Sequence, residues 1–245
     1  VIVSLDADFL GTWLSSEEFA SQYAAGRKIN QKNPEMSKHI QFEGALSLTG
    51  ANADDRFLVR PSEIGAVALN LLAKLGAGVS APAIADEKVK KGIDITASLL
   101  SSSKGAALVV CGSNDPNVQI LVNAINEIVG ANGTTINWAS PVLTRQGIDS
   151  EMDQLVKDMN AGSIGTLLVY EANPAYNYHN AEAFKTGLQK VKLAVSFNDR
   201  ADETSSLCNY IIPHPHFLES WGDAEGRTGY FSLQQPTIEH IFATR

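Results

Sequence analysis

Short apolar runs alternate with helix-like patterns along most of the chain, and this alternation constrains the fold more than any other feature. Strand-like runs occupy residues 1–5, 106–111, 165–170 and 192–197. Between them lie helical patterns such as 64–75, where apolar residues recur every three or four positions. Strands that alternate with helices are typical of α/β proteins with a mainly parallel sheet. We therefore predict two doubly wound, mainly parallel-sheet α/β domains.

The glycine- and proline-rich stretch 76–82 is the best candidate for a domain boundary. It predicts a first α/β domain over 1–80 and a second over 81–225, followed by an irregular extension over 226–245. Ser15 and Glu18 have the spacing of a capping box and predict a helix to about residue 25. Residues 134–138 predict a further strand. The chain opens on a strand at Val1 without an initiator methionine, so we expect a piece of a longer protein.

Composition excludes several classes of function. The net charge is −8, from 19 basic and 27 acidic residues, which argues against nucleic acid as a partner. No apolar run approaches the roughly 18 residues of a membrane span. Cys111 and Cys208 are too few for a four-cysteine iron–sulfur cluster. We expect them to be buried free thiols, with a disulfide as the alternative.

Ligands of parallel sheets gather at the carboxyl ends of the strands, so the loops 6–12, 112–115, 171–178 and 198–204 are the candidate binding segments. Gly112 and Ser113 precede a predicted helix and could cradle a phosphate, although the three-glycine spacing of a dinucleotide fingerprint is missing. Asn173 and Pro174 could contact a ligand or simply start a turn.

Three further signals are weaker. Glu219 stands near Trp221, which suits either a proton carrier with a raised pKa or a turn cap. His214 and His216 alternate as metal ligands on a strand do, but no acidic or thiol ligand accompanies them at metal-binding spacing, and adjacent prolines favour a rigid surface loop. No Ser-His-Asp signature, Walker loop or zinc motif is present in the sequence.

The order of motifs in the last third resembles the molybdopterin oxidoreductase superfamily. A strand over 166–170 is followed by Asn173-Pro174, then by Glu203-Thr204, and finally by Leu218-Glu219. Residues 5–10 and 219–225 are similar, more narrowly, to the iron–sulfur subunit of alternative complex III, a bacterial quinol-oxidising membrane assembly. In that family the molybdopterin-enzyme-like half is expected to be empty of molybdenum.

The resemblance implies where a pterin dinucleotide would bind if one is present: Asn173, Pro174, Gly112, Ser113, Glu203 and Thr204. Two loops depart from the superfamily pattern. Asp6-Ala7-Asp8 replaces a Gly-x-Asn-Pro loop, and Glu43-Gly44-Ala45 replaces Asp-Pro-Arg, which removes a cation. Carboxylates beside a pyrophosphate repel it by about 1 kcal/mol or more per close pair. The structural alternative is that Asp6 and Asp8 cap local backbone or pair with arginines.

The resemblance also implies a function. The chain would be a cofactor-free scaffold and subunit interface within an oxidoreductase that takes electrons from quinol, and inactive by itself. Iron–sulfur clusters would lie in a ferredoxin-like half of the same parent chain, and other subunits of a membrane-bound respiratory complex would be its partners. The location would be the periplasmic face of the bacterial inner membrane, without a membrane span in this chain. The alternative is the pterin-contacting part, with molybdopterin guanine dinucleotide, of an active molybdenum or tungsten oxidoreductase. A free-standing two-domain binding protein would fit the fold but not the motifs.

Overall fold

A computed structural model of the protein describes residues 1–29, 34–144 and 147–242. The chain divides into two compact units, Val1–Thr144 and Arg145–Arg245. Both contain parallel sheets with helices, which confirms the predicted α/β class. Within the described ranges, no helix is long and apolar enough to cross a membrane.

Unit 1 (Val1–Thr144) is built on a four-stranded parallel sheet of order β3-β2-β1-β4. A 3₁₀ turn, Pro61–Glu63, leads into its third helix. Its elements are β1 (Ile2–Leu5), α1 (Ser16–Arg27), β2 (His39–Glu43), α2 (Leu48–Ala51), β3 (Asp55–Leu58), α3 (Ile64–Lys74), α4 (Glu87–Ser102), β4 (Leu108–Cys111) and α5 (Pro116–Ile128).

The two faces of β2 differ in chemistry. Ile40 and Phe42 point into the apolar core, which they share with side chains of α3, α4 and α5. The alternate residues His39, Gln41 and Glu43 are equally buried. They are joined in a row, because Gln41 Oε1 lies 3.3 Å from His39 Nε2 and Gln41 Nε2 donates to Glu43 Oε2 at 3.1 Å. Buried polar groups of this kind are stable only when they are paired.

Unit 2 (Arg145–Arg245) has a smaller parallel sheet of order β5-β6-β7 and a separate antiparallel hairpin of β8 and β9. Phe184, Met159 and Leu188 lie at the centre of its core. Its elements are α6 (Asp149–Asn160), β5 (Thr166–Val169), α7 (Pro174–Asn177), α8 (Ala181–Leu188), β6 (Leu193–Ser196), β7 (Tyr210–Ile211), β8 (Gly222–Arg227) and β9 (Tyr230–Gln234), with 3₁₀ turns at Ser205–Leu207 and Phe217–Glu219.

The predicted domain limits differ from those of the structure. The division falls at residue 144 rather than at 80, because β4 pairs with β1 and α5 packs on α3. The segment 76–82 is therefore a loop inside unit 1. The predicted irregular extension, which begins at 226, instead starts within the hairpin of β8 and β9.

Two local predictions are also wrong. Residues 134–138 do not form a strand; an isolated bridge joins Asn132 to Ile136, and Gly133 adopts a positive φ of 77° in the turn between them. The helix predicted from Ser15 is present as α1, but the Ser15 side chain makes no capping hydrogen bond.

Candidate functional site

In unit 1, two carboxylates follow β1 at the carboxyl edge of the sheet. Asp8 Oδ1 accepts hydrogen bonds from Thr49 N at 3.0 Å and Thr49 Oγ1 at 2.8 Å, and its Oδ2 accepts from Thr12 Oγ1 at 3.3 Å. Burial by itself would raise the pKa of Asp8, but these hydrogen bonds outweigh it and hold the pKa below the ordinary value. Asp6 Oδ1 accepts from Gly44 N at 3.4 Å. Both side chains therefore accept from backbone N–H groups that follow β2, 38 and 41 residues away along the chain.

Glu43, at the end of β2, forms an ion pair with Arg56. Its buried carboxylate accepts from Arg56 Nε, from Ser47 Oγ at 2.6 Å and from Gln41 Nε2 at 3.1 Å. Burial would raise the pKa of Glu43, but the bonds from Arg56 and Ser47 lower it overall. The sequence marks Glu43 only as a departure from the superfamily pattern. Its partners depend on residues four and thirteen positions away.

The segment predicted as a phosphate cradle after β4 is held by contacts of the chain itself. A Cβ on Gly112 would lie 2.2 Å from the Asp6 carbonyl oxygen, so this glycine is required by a close backbone approach. Ser113 Oγ accepts from Asp115 N at 3.1 Å. Asp115 Oδ1 then accepts from Asn117 N at 2.9 Å in the first turn of α5. One of the N–H groups in the first turn of α5, which a phosphate could otherwise use, is thus capped by the chain's own carboxylate.

In unit 2 the structure brings together four of the predicted site residues. Asn173 Oδ1 accepts from Thr204 N at 3.2 Å and Thr204 Oγ1 at 2.8 Å, while its Nδ2 donates to Glu203 Oε2 at 2.7 Å. Pro174 follows as the first residue of α7. The bond from Asn173 lowers the pKa of Glu203. The Asn173 amide is thereby committed to joining two loops. Gly112 and Ser113 belong to unit 1.

Asn198, which the sequence did not single out, is the more deeply buried amide at this edge. Its Nδ2 donates to Ala172 O at 2.9 Å and to Asp202 Oδ2 at 2.7 Å, and its Oδ1 accepts from Ala172 N at 3.3 Å. It therefore fixes the loop after β5 against the loop after β6. The available signal was its position directly beyond the strand 192–197.

A cleft of about 310 Å³ opens at this edge of unit 2. Its ionisable lining residues are Glu171, Asp199, Arg200, Asp202, His214 and His216. Arg200 donates from Nε and Nη2 to its neighbour Asp199 at 2.9 and 2.8 Å, so its charge is already paired. His214 Nε2 lies 3.1 Å from Glu171 Oε1. Glu171 adopts a left-handed φ of 47°, an uncommon conformation for a residue other than glycine.

The other residues that the sequence singled out, among them His216 and Glu219, contact neighbouring parts of the chain. His216 Nδ1 accepts from Leu218 N at 3.3 Å. Glu219 is buried, with His240 Nδ1 3.5 Å from its Oε2, whereas the Trp221 side chain is exposed. Across the described ranges, no group of three or more His, Cys, Asp or Glu side chains is arranged to hold a metal ion. Cys111 and Cys208 are free thiols, and burial raises the pKa of both.

These surroundings fit the pyrophosphate of a pterin dinucleotide poorly. Such a ligand needs free N–H groups and an excess of positive charge. The N–H group of Thr49, in α2, already donates to Asp8, and that of Asn117, in the first turn of α5, already donates to Asp115. In the unit 2 cleft the guanidinium of Arg200 is paired with Asp199.

The fold and the site define a class of protein. It has consecutive α/β units with parallel sheets, and the loops at the carboxyl ends of the strands, where such sheets usually bind ligands, are held by hydrogen bonds within the protein. No family model matches the chain. It is 27% identical over 295 aligned positions to the menaquinone reductase, molybdopterin-binding-like subunit of Nitratidesulfovibrio vulgaris. That match covers 100% of this chain and 41% of the relative, so the chain spans about two fifths of the length of the curated relative.

A solved structure shares the fold. Acetylene hydratase from Pelobacter acetylenicus aligns with a TM-score of 0.66 and 12% sequence identity, over 100% of this chain and 45% of that protein. The chain is thus similar in sequence to a molybdopterin-binding-like subunit, which agrees with the resemblance seen in the sequence motifs, and similar in fold to acetylene hydratase.

Proposed function

We propose that this chain is part of a subunit of a respiratory membrane complex, in which it serves as a cofactor-free scaffold and subunit interface. The parent would take electrons from quinol, and the chain by itself would be inactive. The similarity to a molybdopterin-binding-like subunit of a menaquinone reductase supports a role beside a quinone-linked enzyme. The narrower similarity of residues 5–10 and 219–225 supports the alternative complex III family.

One observation carries the cofactor-free part of the proposal. At the carboxyl edges of the sheets, side chains of the chain occupy the donors that an anionic ligand would need. Asp8 takes the Thr49 N–H group, and Asn173 uses both ends of its amide on Thr204 and Glu203. Opening either loop for a ligand would break hydrogen bonds that are each worth about 1 kcal/mol, or more where a charge takes part.

The rest of the proposal follows from the resemblance. Iron–sulfur clusters would lie in a ferredoxin-like half of the parent chain and carry the electrons. The partners would be that half and the other subunits of the complex. The parent would be peripheral, on the periplasmic face of the bacterial inner membrane. Fold alone does not fix function, and a fold that is retained without its cofactor is consistent with that rule.

The alternative proposal is the pterin-contacting part of an active molybdenum or tungsten oxidoreductase. The loop Asn173-Pro174 favours it, because it retains its form at the carboxyl edge of β5, where parallel sheets bind ligands. In unit 2 the residues that face a pterin dinucleotide would then be Asn173, Pro174, Glu203 and Thr204. In unit 1 they would be Gly112 and Ser113.

Titration calorimetry of the purified chain with inorganic pyrophosphate and with GDP tests the choice. The scaffold proposal expects no saturable binding up to about 1 mM ligand, an affinity of at most roughly 4 kcal/mol. Binding near 10 µM (about 7 kcal/mol) that Asn173→Ala weakens would contradict it and favour the alternative. Asn177→Ala, an exposed asparagine at the end of α7, is the matched control.

A further inference from the structure

The hairpin of β8 and β9 exposes an unusual amount of apolar surface. In β9 the side chains of Tyr230, Phe231 and Leu233 are 67%, 68% and 81% exposed. Trp221, directly before β8, is 71% exposed. Contiguous exposed groups of this size mark interaction surfaces, whereas single exposed apolar residues are normal.

The backbone of β9 is open as well. Among the described residues, β9 pairs only with β8, so its outer edge offers unpaired N–H and C=O groups. Soluble proteins usually protect such an edge with charged residues, a proline or a bulge. The sequence of β9, Tyr-Phe-Ser-Leu-Gln, contains neither charge nor proline. The one irregularity lies in β8, between Glu225 and Arg227.

An isolated two-stranded hairpin is at best marginally stable in water. This one is attached at its base, where Gln234 Nε2 donates to Phe217 O and Thr237 N donates to Leu218 O at 2.7 Å. Beside it runs a groove of about 450 Å³, whose lining includes Tyr170, Trp221 and Leu233. The edge and the groove together can hold an extended segment and its side chains.

The net charge around the hairpin indicates which kind of molecule could bind its open edge. Between residues 217 and 242 there are four acidic residues and one basic residue, a net charge of −3: Glu219, Asp223, Glu225, Glu239 and Arg227. An anionic membrane surface would repel this segment. A polypeptide with apolar side chains flanked by Lys or Arg would be attracted to it.

We propose that β9 is a docking edge for an extended strand of a partner polypeptide, which carries alternating apolar residues with Lys or Arg beside them. The partner strand adds to the outer edge of β9, as peptides add to exposed sheet edges in other proteins. This inference rests on the proposed function, since it places the partner among the other polypeptides of the respiratory complex.

The test uses hydrogen exchange of the purified complex and of this chain alone. We expect the amides of residues 230–234 to exchange at least about tenfold more slowly in the complex, because new hydrogen bonds must open first. Equal exchange in the two samples would overturn the proposal.

Substitution supplies the second arm. Leu233→Lys places a charge on the edge, and we expect the complex to lose its partner subunit on size exclusion. The control Tyr176→Lys changes a residue that is 73% exposed but lies on α7, and it should assemble normally. Circular dichroism checks that both variants fold. Normal assembly of Leu233→Lys would overturn the proposal.

Two other occupants give distinct results. A concentration-dependent dimer of this chain that Leu233→Lys abolishes would assign the edge to a second copy. Binding to anionic phospholipid vesicles with the same dependence would assign it to a lipid surface. Either result overturns the partner strand. Pterin in the complex would instead contradict the proposed scaffold function and leave the exchange result standing.

Discussion

Replacing Asp54 by Asn tests the electrostatic anchor of unit 1. Asp54 accepts two hydrogen bonds from the Arg27 guanidinium, each 2.8 Å long, and a third from His39 N at 2.7 Å. The Arg27 and Asp54 side chains are only 19% and 15% exposed. A bidentate pair of this kind is among the stronger polar interactions in proteins.

The magnitude follows from the pKa of Asp54. Hydrogen bonding to Arg27 is the largest cause that lowers this pKa from 3.8 to about 2. At about 1.36 kcal/mol per pKa unit the difference is worth about 2 kcal/mol. Because solvent screens the exposed part of the pair, we expect a loss of about 1–2 kcal/mol for Asp54→Asn at pH 7. The folded pKa is the lower one, so this stabilisation is present above pH 4 and disappears as the pH falls toward 2.

Urea unfolding at pH 7 and at pH 3 provides the measurement. The loss caused by Asp54→Asn should fall by about half at pH 3, where the carboxyl is largely protonated in the unfolded chain. The control Asp55→Asn removes the 2.8 Å ion pair between Asp55 and Lys38. Because both side chains are about 40% exposed, this change should cost less than about 1 kcal/mol. Equal stability of Asp54→Asn and wild type at pH 7, or an equal loss at both pH values, would refute the reasoning.

Three further predictions concern packing and the loop contacts. Gly112→Ala should destabilise unit 1 by about 1–3 kcal/mol, because its Cβ meets a backbone oxygen at 2.2 Å, whereas Gly147→Ala, with open space around it, should be neutral in thermal unfolding. Asn198→Ala should cost unit 2 about 1–3 kcal/mol in urea unfolding through its lost bonds to Asp202 and to the loop after β5; no change would show that water replaces them. Phe184→Ala should cost about 3–5 kcal/mol, since this ring is fully buried, and a loss below about 1 kcal/mol would contradict the packing of the core.

Local sequence patterns predicted most of the helices and strands, because short-range rules specify where these elements form. The periodicity over 64–75 and the Asp115-Pro116 pair specify α3 and α5 by short-range rules. The domain limit could not be found in this way. It depends on the pairing of β4 with β1, more than a hundred residues apart. Glycine and proline mark a loop at 76–82, but they do not say which sheet the next strand joins.

The candidate site shows the same division. The contact of Asn173 with Thr204 could be expected, because both follow parallel strands whose carboxyl ends share an edge. The importance of Asn198 could not, since its role depends on burial and on a contact with Ala172, which is 26 residues away along the chain. The sequence also showed that carboxylates replace the usual residues at Asp6, Asp8 and Glu43. It did not show that Glu43 forms an ion pair with Arg56.

The most direct test of the central claim is metal analysis together with oxidised-pterin fluorescence on the full-length parent protein. The scaffold account predicts iron without molybdenum, tungsten or pterin. Stoichiometric molybdenum or tungsten with pterin would contradict it, make these loops part of a catalytic pocket, and make Asn173 the first residue to replace.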